Sequence, residues 1–271
     1  MTILEAALLG LVQGVTEFLP VSSSGHLAIF GAGKLSLMVL LHFGTLLSIL
    51  VYYRRDVLKV LKGTWNLARA AGGAAFSRRE FRAYLQTDPD ARLALLIVVG
   101  SIPTGIIGLG LKPLAEYAAA PGHVKIVGAC FVLTGVLMYF CDRFPLGGKG
   151  LGQGTFRDAI TVGIFQGLAA MPGLSRSGLT VFAAVERGFE RNDAARFSFL
   201  MAVPALVAAN LLELREGAVN MAPGAATVGI SMAFVAGYAA LAGLVSALAS
   251  QKLRYFTGYL VTLGLLVLLF S

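Results

Sequence analysis

The sequence predicts an all-α polytopic membrane protein: six transmembrane helices and two re-entrant helical hairpins, forming one integral membrane domain over residues 1–271. Three observations carry that prediction. The 271 residues are 57% hydrophobic and 13% charged, with a mean hydropathy of +0.79, whereas water-soluble domains run nearer a quarter charged. Six apolar runs approach the ~20 residues that a bilayer's hydrocarbon core demands. Two further apolar stretches are interrupted near their middles by Pro, Gly and Ser, so neither half of either is long enough to cross.

In chain order, the first interrupted stretch is Ile3 to Phe30, containing LVQGVTEFLPVSSSGHLAIF. The first span follows at Leu35 to Tyr53, and a basic segment from Arg54 to Arg92 separates it from the second, Leu93 to Leu111. The third span is Val124 to Tyr139. The second interrupted stretch, Phe156 to Gly188, contains IFQGLAAMPGLSRSGLTVFAA, and the last spans are Phe197 to Leu212, Ala225 to Ala249 and Tyr255 to Phe270. A helix that stops at Pro and restarts after a Ser-rich turn reads as a re-entrant hairpin. Such backbone survives at membrane depth only where protein or water covers it. Cys130 and Cys141 lie 11 positions apart on one predicted helix, about 16 Å at helical rise, too far to pair within it. No Cys/His spacing suggests zinc, and the amino terminus lacks the basic n-region of a signal peptide.

The net charge is +8. The basic residues are concentrated between spans rather than interleaved with aromatics on one face, so membrane topology, not nucleic-acid binding, accounts for the excess. Seventeen basic residues fall on the side holding Arg54 to Arg92 and four (Lys34, Lys112, Lys125 and Arg215) on the other, with Arg176 inside the second hairpin. The positive-inside rule therefore puts Arg54 to Arg92 in the cytoplasm and both termini outside. The hairpins are also related to each other. Gln13, Gly14, Ser22, Ser24 and Gly25 recur 153 positions later as Gln166, Gly167, Ser175, Ser177 and Gly178. With one hairpin entering from each side, the expected plan is an inverted-topology repeat, about 1–140 and 155–271, whose site lies where the broken helices meet.

The residues at that meeting point are unusual for a membrane interior. Gln13 and Glu17 are four apart and share a helix face. Pro20 ends the first half-helix, Ser22, Ser23 and Ser24 fill the turn, and His26 opens the next. In the second hairpin Pro172 breaks the helix, Ser175, Arg176 and Ser177 fill the turn, and Thr180 follows. A charge at this depth costs at least ~2.5 kcal/mol, so it needs a partner and commonly has a task. Restarting half-helices aim N–H groups at the cavity, and an Arg fork matches phosphate oxygens. A carboxylate beside an anion site suits a bridging divalent cation or a base, and Ser beside His or Glu suits an activated nucleophile. The bland alternatives are serine caps, a structural Glu17–Arg176 pair and a capping His26. His42 reads as packing or cavity lining.

The chain resembles the undecaprenyl pyrophosphate phosphatase family, also called the bacitracin-resistance family. The resemblance covers nearly the whole length. It rests on QGVTEFLPVSSSGH at residues 13–26 and PGLSRSGLT at 172–180, matching the family's (E/Q)xxxE and PGxSRSxxT signatures. Supporting matches are LLHFGTLLSILVYYRRD at 40–56 and ARFSFLMAVPALVAANLLEL at 195–214. The resemblance implies metal-dependent hydrolysis of a polyprenyl pyrophosphate to the monophosphate and inorganic phosphate, at the outer face of the bacterial inner membrane, recycling the carrier for peptidoglycan synthesis. It carries over Gln13 and Glu17 as the signature pair, expected to hold Mg2+ or Ca2+. Ser23 becomes the nucleophile with His26 as its partner. Arg176 becomes the phosphate-binding arginine, with Ser22, Ser24, Ser175, Ser177 and Thr180 as supporting hydroxyls. The implied partners are the lipid substrate and membrane lipid; a homodimer is one assembly open to such a chain.

A different function class is transport, since inverted repeats with broken helices are also the plan of transporters. A polyprenyl-phosphate flippase needs Arg176 and helix dipoles but no nucleophile. The conjunction of Ser23, Glu17 and His26 separates the two readings.

Overall fold

The computed structural model describes residues 2–29, 35–72, 78–215 and 222–271. These residues form twelve α-helices and one short 3-10 turn, Leu151–Gln153. The helices are α1 (Ile3–Phe18), α2 (Ser23–Ile29), α3 (Leu35–Tyr52), α4 (Arg54–Gly72), α5 (Arg78–Thr87), α6 (Pro89–Ala119), α7 (Val124–Cys141), α8 (Phe156–Leu168), α9 (Arg176–Glu186), α10 (Arg191–Arg215), α11 (Pro223–Ala249) and α12 (Arg254–Phe270).

Among the described residues, four helices are long and apolar enough to cross a membrane: Pro89–Ala119, Val124–Cys141, Arg191–Leu212 and Pro223–Ala249. The remaining two of the six predicted spans fall on shorter apolar helices, Leu40–Tyr52 within α3 and the 17-residue α12. The second predicted span ended at Leu111, ahead of Pro113, but α6 runs on for 31 residues and carries both Pro103 and Pro113 inside it. Proline is tolerated inside membrane helices, and beside Pro103 the Thr104 hydroxyl ties α6 to α8 by donating to the Gly163 carbonyl at 3.0 Å. Along α6, Val98, Ile102, Ile106 and Leu109 are each more than half exposed. Such an apolar stripe faces lipid, not water. The segment read only as basic linker holds two amphipathic helices, α4 and α5.

Both chain breaks lie where the sequence puts them. α1 stops at Phe18 and α2 starts at Ser23; α8 stops at Leu168 and α9 starts at Arg176. The helices leading into the breaks are gripped through small residues. A side-chain carbon on Gly14 would lie 2.7 Å from the Ala233 carbonyl of α11, and one on Gly163 would lie 2.1 Å from the Gly100 carbonyl of α6. Such close backbone approach is how membrane helices gain packing energy without a hydrophobic driving force. α7 pairs with α12 in the same manner, and α10 packs on α3. Phe18, Phe131, Phe199 and Met201, all fully buried, fill the space around the breaks.

Candidate active site

The two turns touch. Ser22 Oγ accepts the Gly173 N–H at 3.1 Å, and Ser177 Oγ donates to the Leu19 carbonyl at 3.2 Å. Thr134 on α7 joins them: its hydroxyl accepts from Ser175 N–H and donates to the Gly173 carbonyl. The turns also share a local pattern. Ser22 Oγ accepts from Gly25 N–H and Ser175 Oγ from Gly178 N–H, each three residues on. Each of these serines also lies within hydrogen-bond reach of the serine two positions later, Ser24 and Ser177. Capping of the restarting helix thus accounts for part of the Ser content. The bends need left-handed backbone: Ser22 has φ +64° and Gly173 φ +93°. A β-carbon on Gly173 would sit 2.5 Å from the Val127 carbonyl, so only glycine fits there.

Glu17 is the hub. Its Oε2 accepts from Gln13 Nε2 at 3.0 Å and from Ser23 Oγ at 2.8 Å, and its Oε1 pairs with Arg176 Nη2 at 2.5 Å. His42 Nε2 lies 3.6 Å from Oε2. Gln13, Glu17, Ser23 and Arg176 are therefore brought to one point from three helices and both breaks. The cluster is mostly buried, with Ser23 and Ser24 half-buried at its mouth. Two polar atoms in it are buried without a hydrogen-bond partner, Gln13 Oε1 and Arg176 Nη1. Buried donors and acceptors are seldom left so, and at a polar site they point to a ligand.

His26 stands apart from the Ser23–Glu17 bond. Its Nδ1 donates to the Ser22 carbonyl at 2.7 Å, and since a carbonyl only accepts, that nitrogen carries a proton. Its Nε2 lies 2.5 Å from the Tyr259 hydroxyl, and the two rings stack. Ser177 and Thr180 are fully buried, and Thr180 Oγ1 meets Ser198 Oγ at 2.5 Å and the Arg176 carbonyl at 2.7 Å. These hydroxyls support the second turn from behind. The sequence reading missed Tyr259 and Thr134 and did not attach His42 to Glu17. Gln166, the counterpart of Gln13, bonds instead to the Met201 carbonyl, for Ala170 stands where a second Glu17 would be.

Comparison with known proteins places the chain in a family. Residues 6–266 match the family described as Bacitracin resistance protein BacA. Among relatives, the undecaprenyl-diphosphatase of Desulfatibacillum aliphaticivorans is 41% identical over 98% of this chain and 97% of its own length. That of Carboxydothermus hydrogenoformans is 37% identical, covering 97% and 95%. The undecaprenyl-diphosphatase of Methanosphaera stadtmanae is 34% identical over 99% and 98%. With a family match spanning nearly its whole length and relatives of this similarity, the chain is a multi-pass membrane protein that belongs to the bacitracin resistance protein BacA family.

Proposed function

We propose that this protein hydrolyses undecaprenyl pyrophosphate to undecaprenyl phosphate and inorganic phosphate. The observation that carries the reading is the Glu17 carboxylate, which accepts from Ser23 while pairing with Arg176. One group thus joins a hydroxyl able to attack phosphorus with a guanidinium able to bind phosphate. A flippase would have no use for the first of these, so the same bond favours the phosphatase over the transporter.

In this reading the terminal phosphoryl group engages Arg176, whose Nη1 has no other partner, and Nη2 turns from Glu17 to a phosphate oxygen. Ser23 Oγ attacks the terminal phosphorus as its proton passes to Glu17 Oε2. The bond from phosphorus to the bridging oxygen breaks, and that oxygen, on the departing lipid monophosphate, takes the proton from Glu17. Water then attacks the Ser23 phosphoester; Glu17 accepts the water's proton and returns one to Ser23 Oγ as phosphate leaves. His26 is assigned a positioning role, holding the Ser22 carbonyl and so the turn that presents Ser23, with Tyr259 fixing its ring. Ser22, Ser24, Ser175, Ser177 and Thr180 maintain the shape of the phosphate cradle.

A divalent cation, Mg2+ or Ca2+, suits two oxygens here, the Glu17 carboxylate and the unpartnered Gln13 Oε1. No group of three His, Cys, Asp or Glu stands together among the described residues, so substrate oxygens and water would complete its shell, the usual habit of Mg2+ at phosphates. When bound, it supplies neutralisation of the pyrophosphate's charge.

Two finer readings go with this one. The packing of α1 on α11 is answered by that of α8 on α6, and α7–α12 and α3–α10 pair across the same relationship, which supports re-entrant hairpins in an inverted-topology repeat. The charge asymmetry supports Arg54 to Arg92 on the cytoplasmic side and both termini outside, and the family resemblance supports a site opening to the outer face of the inner membrane. The direct test is phosphate release from a polyprenyl pyrophosphate by purified protein, with and without chelator. Release that chelator abolishes is expected; binding and transbilayer movement of the lipid without release would favour the transporter.

A further inference from the structure

The reaction leaves the segment between Tyr53 and Asp88 without a task. Its first helix, α4, has two contrasting faces. One packs on protein: a β-carbon on Gly63 would lie 2.1 Å from the Asp90 carbonyl of α6, and buried Asp56 pairs with Arg196 of α10. The other carries Leu58, Leu61 and Trp65, exposed by 64%, 61% and 64%. At 3.6 residues per turn these three lie within an arc of about 60°. Arg54, Arg55, Lys62 and Arg69, all exposed, lie on or beside the same stripe.

A helix facing water would not present that stripe, and a core helix would not carry its cations. Exposed Leu and Trp bordered by Arg and Lys suit the level where lipid headgroups meet acyl chains. Continuity sets the depth. α4 begins two residues after the apolar α3 ends, and it packs against the opening of α6, an apolar helix of spanning length. Both ends of its attachment therefore hold it at the membrane boundary. The cations select an anionic headgroup. They also disfavour a second copy of the chain, because a two-fold contact through this face would set like charges against like.

We propose that α4 is an interfacial helix, its Leu58–Leu61–Trp65 stripe seated in a phospholipid leaflet and Arg55, Lys62 and Arg69 engaging anionic headgroups. The inference is independent of the phosphatase reading. Trp65 is the only tryptophan in the chain, so its fluorescence reports on this face alone. The full-length protein is reconstituted into vesicles of brominated-chain phosphatidylglycerol or brominated-chain phosphatidylcholine at equal bromine content. Blue-shifted emission is expected, with quenching about twofold or more stronger in phosphatidylglycerol. That excess should disappear in the R55Q/K62Q/R69Q variant while its phosphate release is unchanged. Emission typical of water without quenching, or equal quenching in both lipids, would overturn the proposal. So would quenching that is relieved as the protein-to-lipid ratio rises, the mark of a second copy covering the face.

Discussion

The Ser23 hydroxyl donates to Glu17 Oε2 across 2.8 Å, although one helix has ended and another begun between the two residues. Pro20 and the left-handed Ser22 turn the chain back on itself, so that a hydroxyl six positions on returns to the carboxylate. Four groups converge on that carboxylate, so the proposed phosphate binding and proton transfer would meet there.

Glu17→Gln should therefore damage stability and activity together. Removing one partner of a buried ion pair leaves the other charge uncompensated, at about 3–5 kcal/mol. The Arg176 side chain is 15% exposed, so the lower part of that range applies. The thermal midpoint in detergent should fall by several degrees and phosphate release by at least ~100-fold, and added Mg2+ or Ca2+ should restore neither. A variant with the wild-type midpoint and turnover would mean that Glu17 is a bystander.

Arg176→Lys keeps the charge but removes the fork, and with it the Nη1 donor that stands buried without a partner. Losing a charge-assisted contact of about 2–3 kcal/mol slows the reaction roughly 30- to 150-fold. Single-turnover and binding measurements should show weaker substrate binding as well as slower chemistry. Near-native kinetics in this variant would reduce Arg176 to a point charge.

Much of this site is legible in the sequence because the signals are local. Pro20 and Pro172 mark the breaks, the Ser clusters mark the turns, and the i, i+4 spacing puts Gln13 beside Glu17. The recurrence of Ser22 and Ser24 as Ser175 and Ser177 is matched by the same hydrogen bonds in both turns. What escapes is contact between distant helices. Tyr259 meets His26 from 233 positions away, and Thr134 joins the turns from α7, yet neither carries a local mark. His42 looks like an isolated ionisable residue on an apolar helix until α3 is set beside α1. The pairing of His26 with Ser23 is natural at three residues' spacing, but the hydroxyl's single proton goes to Glu17. The helix α6 extends beyond the predicted span Leu93 to Leu111 at both ends, because hydropathy marks the apolar stretch and not where the helical hydrogen bonding stops.

Gly173→Ala tests whether the touching turns matter. The left-handed backbone alone costs a non-glycine residue about 1–2 kcal/mol. The new carbon would also meet the Val127 carbonyl at 2.5 Å and Cys130 Cβ at 2.7 Å. Gly122→Ala provides the control, for its φ of +88° is similar and nothing lies within 4 Å of its β-carbon position. Gly173→Ala should lose at least tenfold in activity and several degrees in thermal midpoint, whereas Gly122→Ala should keep full turnover. Equal effects would place the whole cost in backbone conformation.

Orientation is open to labelling. A cysteine at the exposed Ala83 of α5, in a chain with Cys130 and Cys141 replaced, should resist impermeant thiol reagents applied to intact cells and react after lysis. Labelling before lysis would put the basic segment outside, contrary to the 17-to-4 charge asymmetry.

Phosphate release from undecaprenyl pyrophosphate by purified Ser23→Ala shows whether Ser23 attacks phosphorus with Glu17 as its proton acceptor. Removing the nucleophile should lower turnover by more than ~1000-fold, equivalent to about 4 kcal/mol of barrier, while lipid binding survives because Arg176 remains. Turnover within about tenfold of wild type, ~1.4 kcal/mol, would contradict the assignment and leave water as the attacking group.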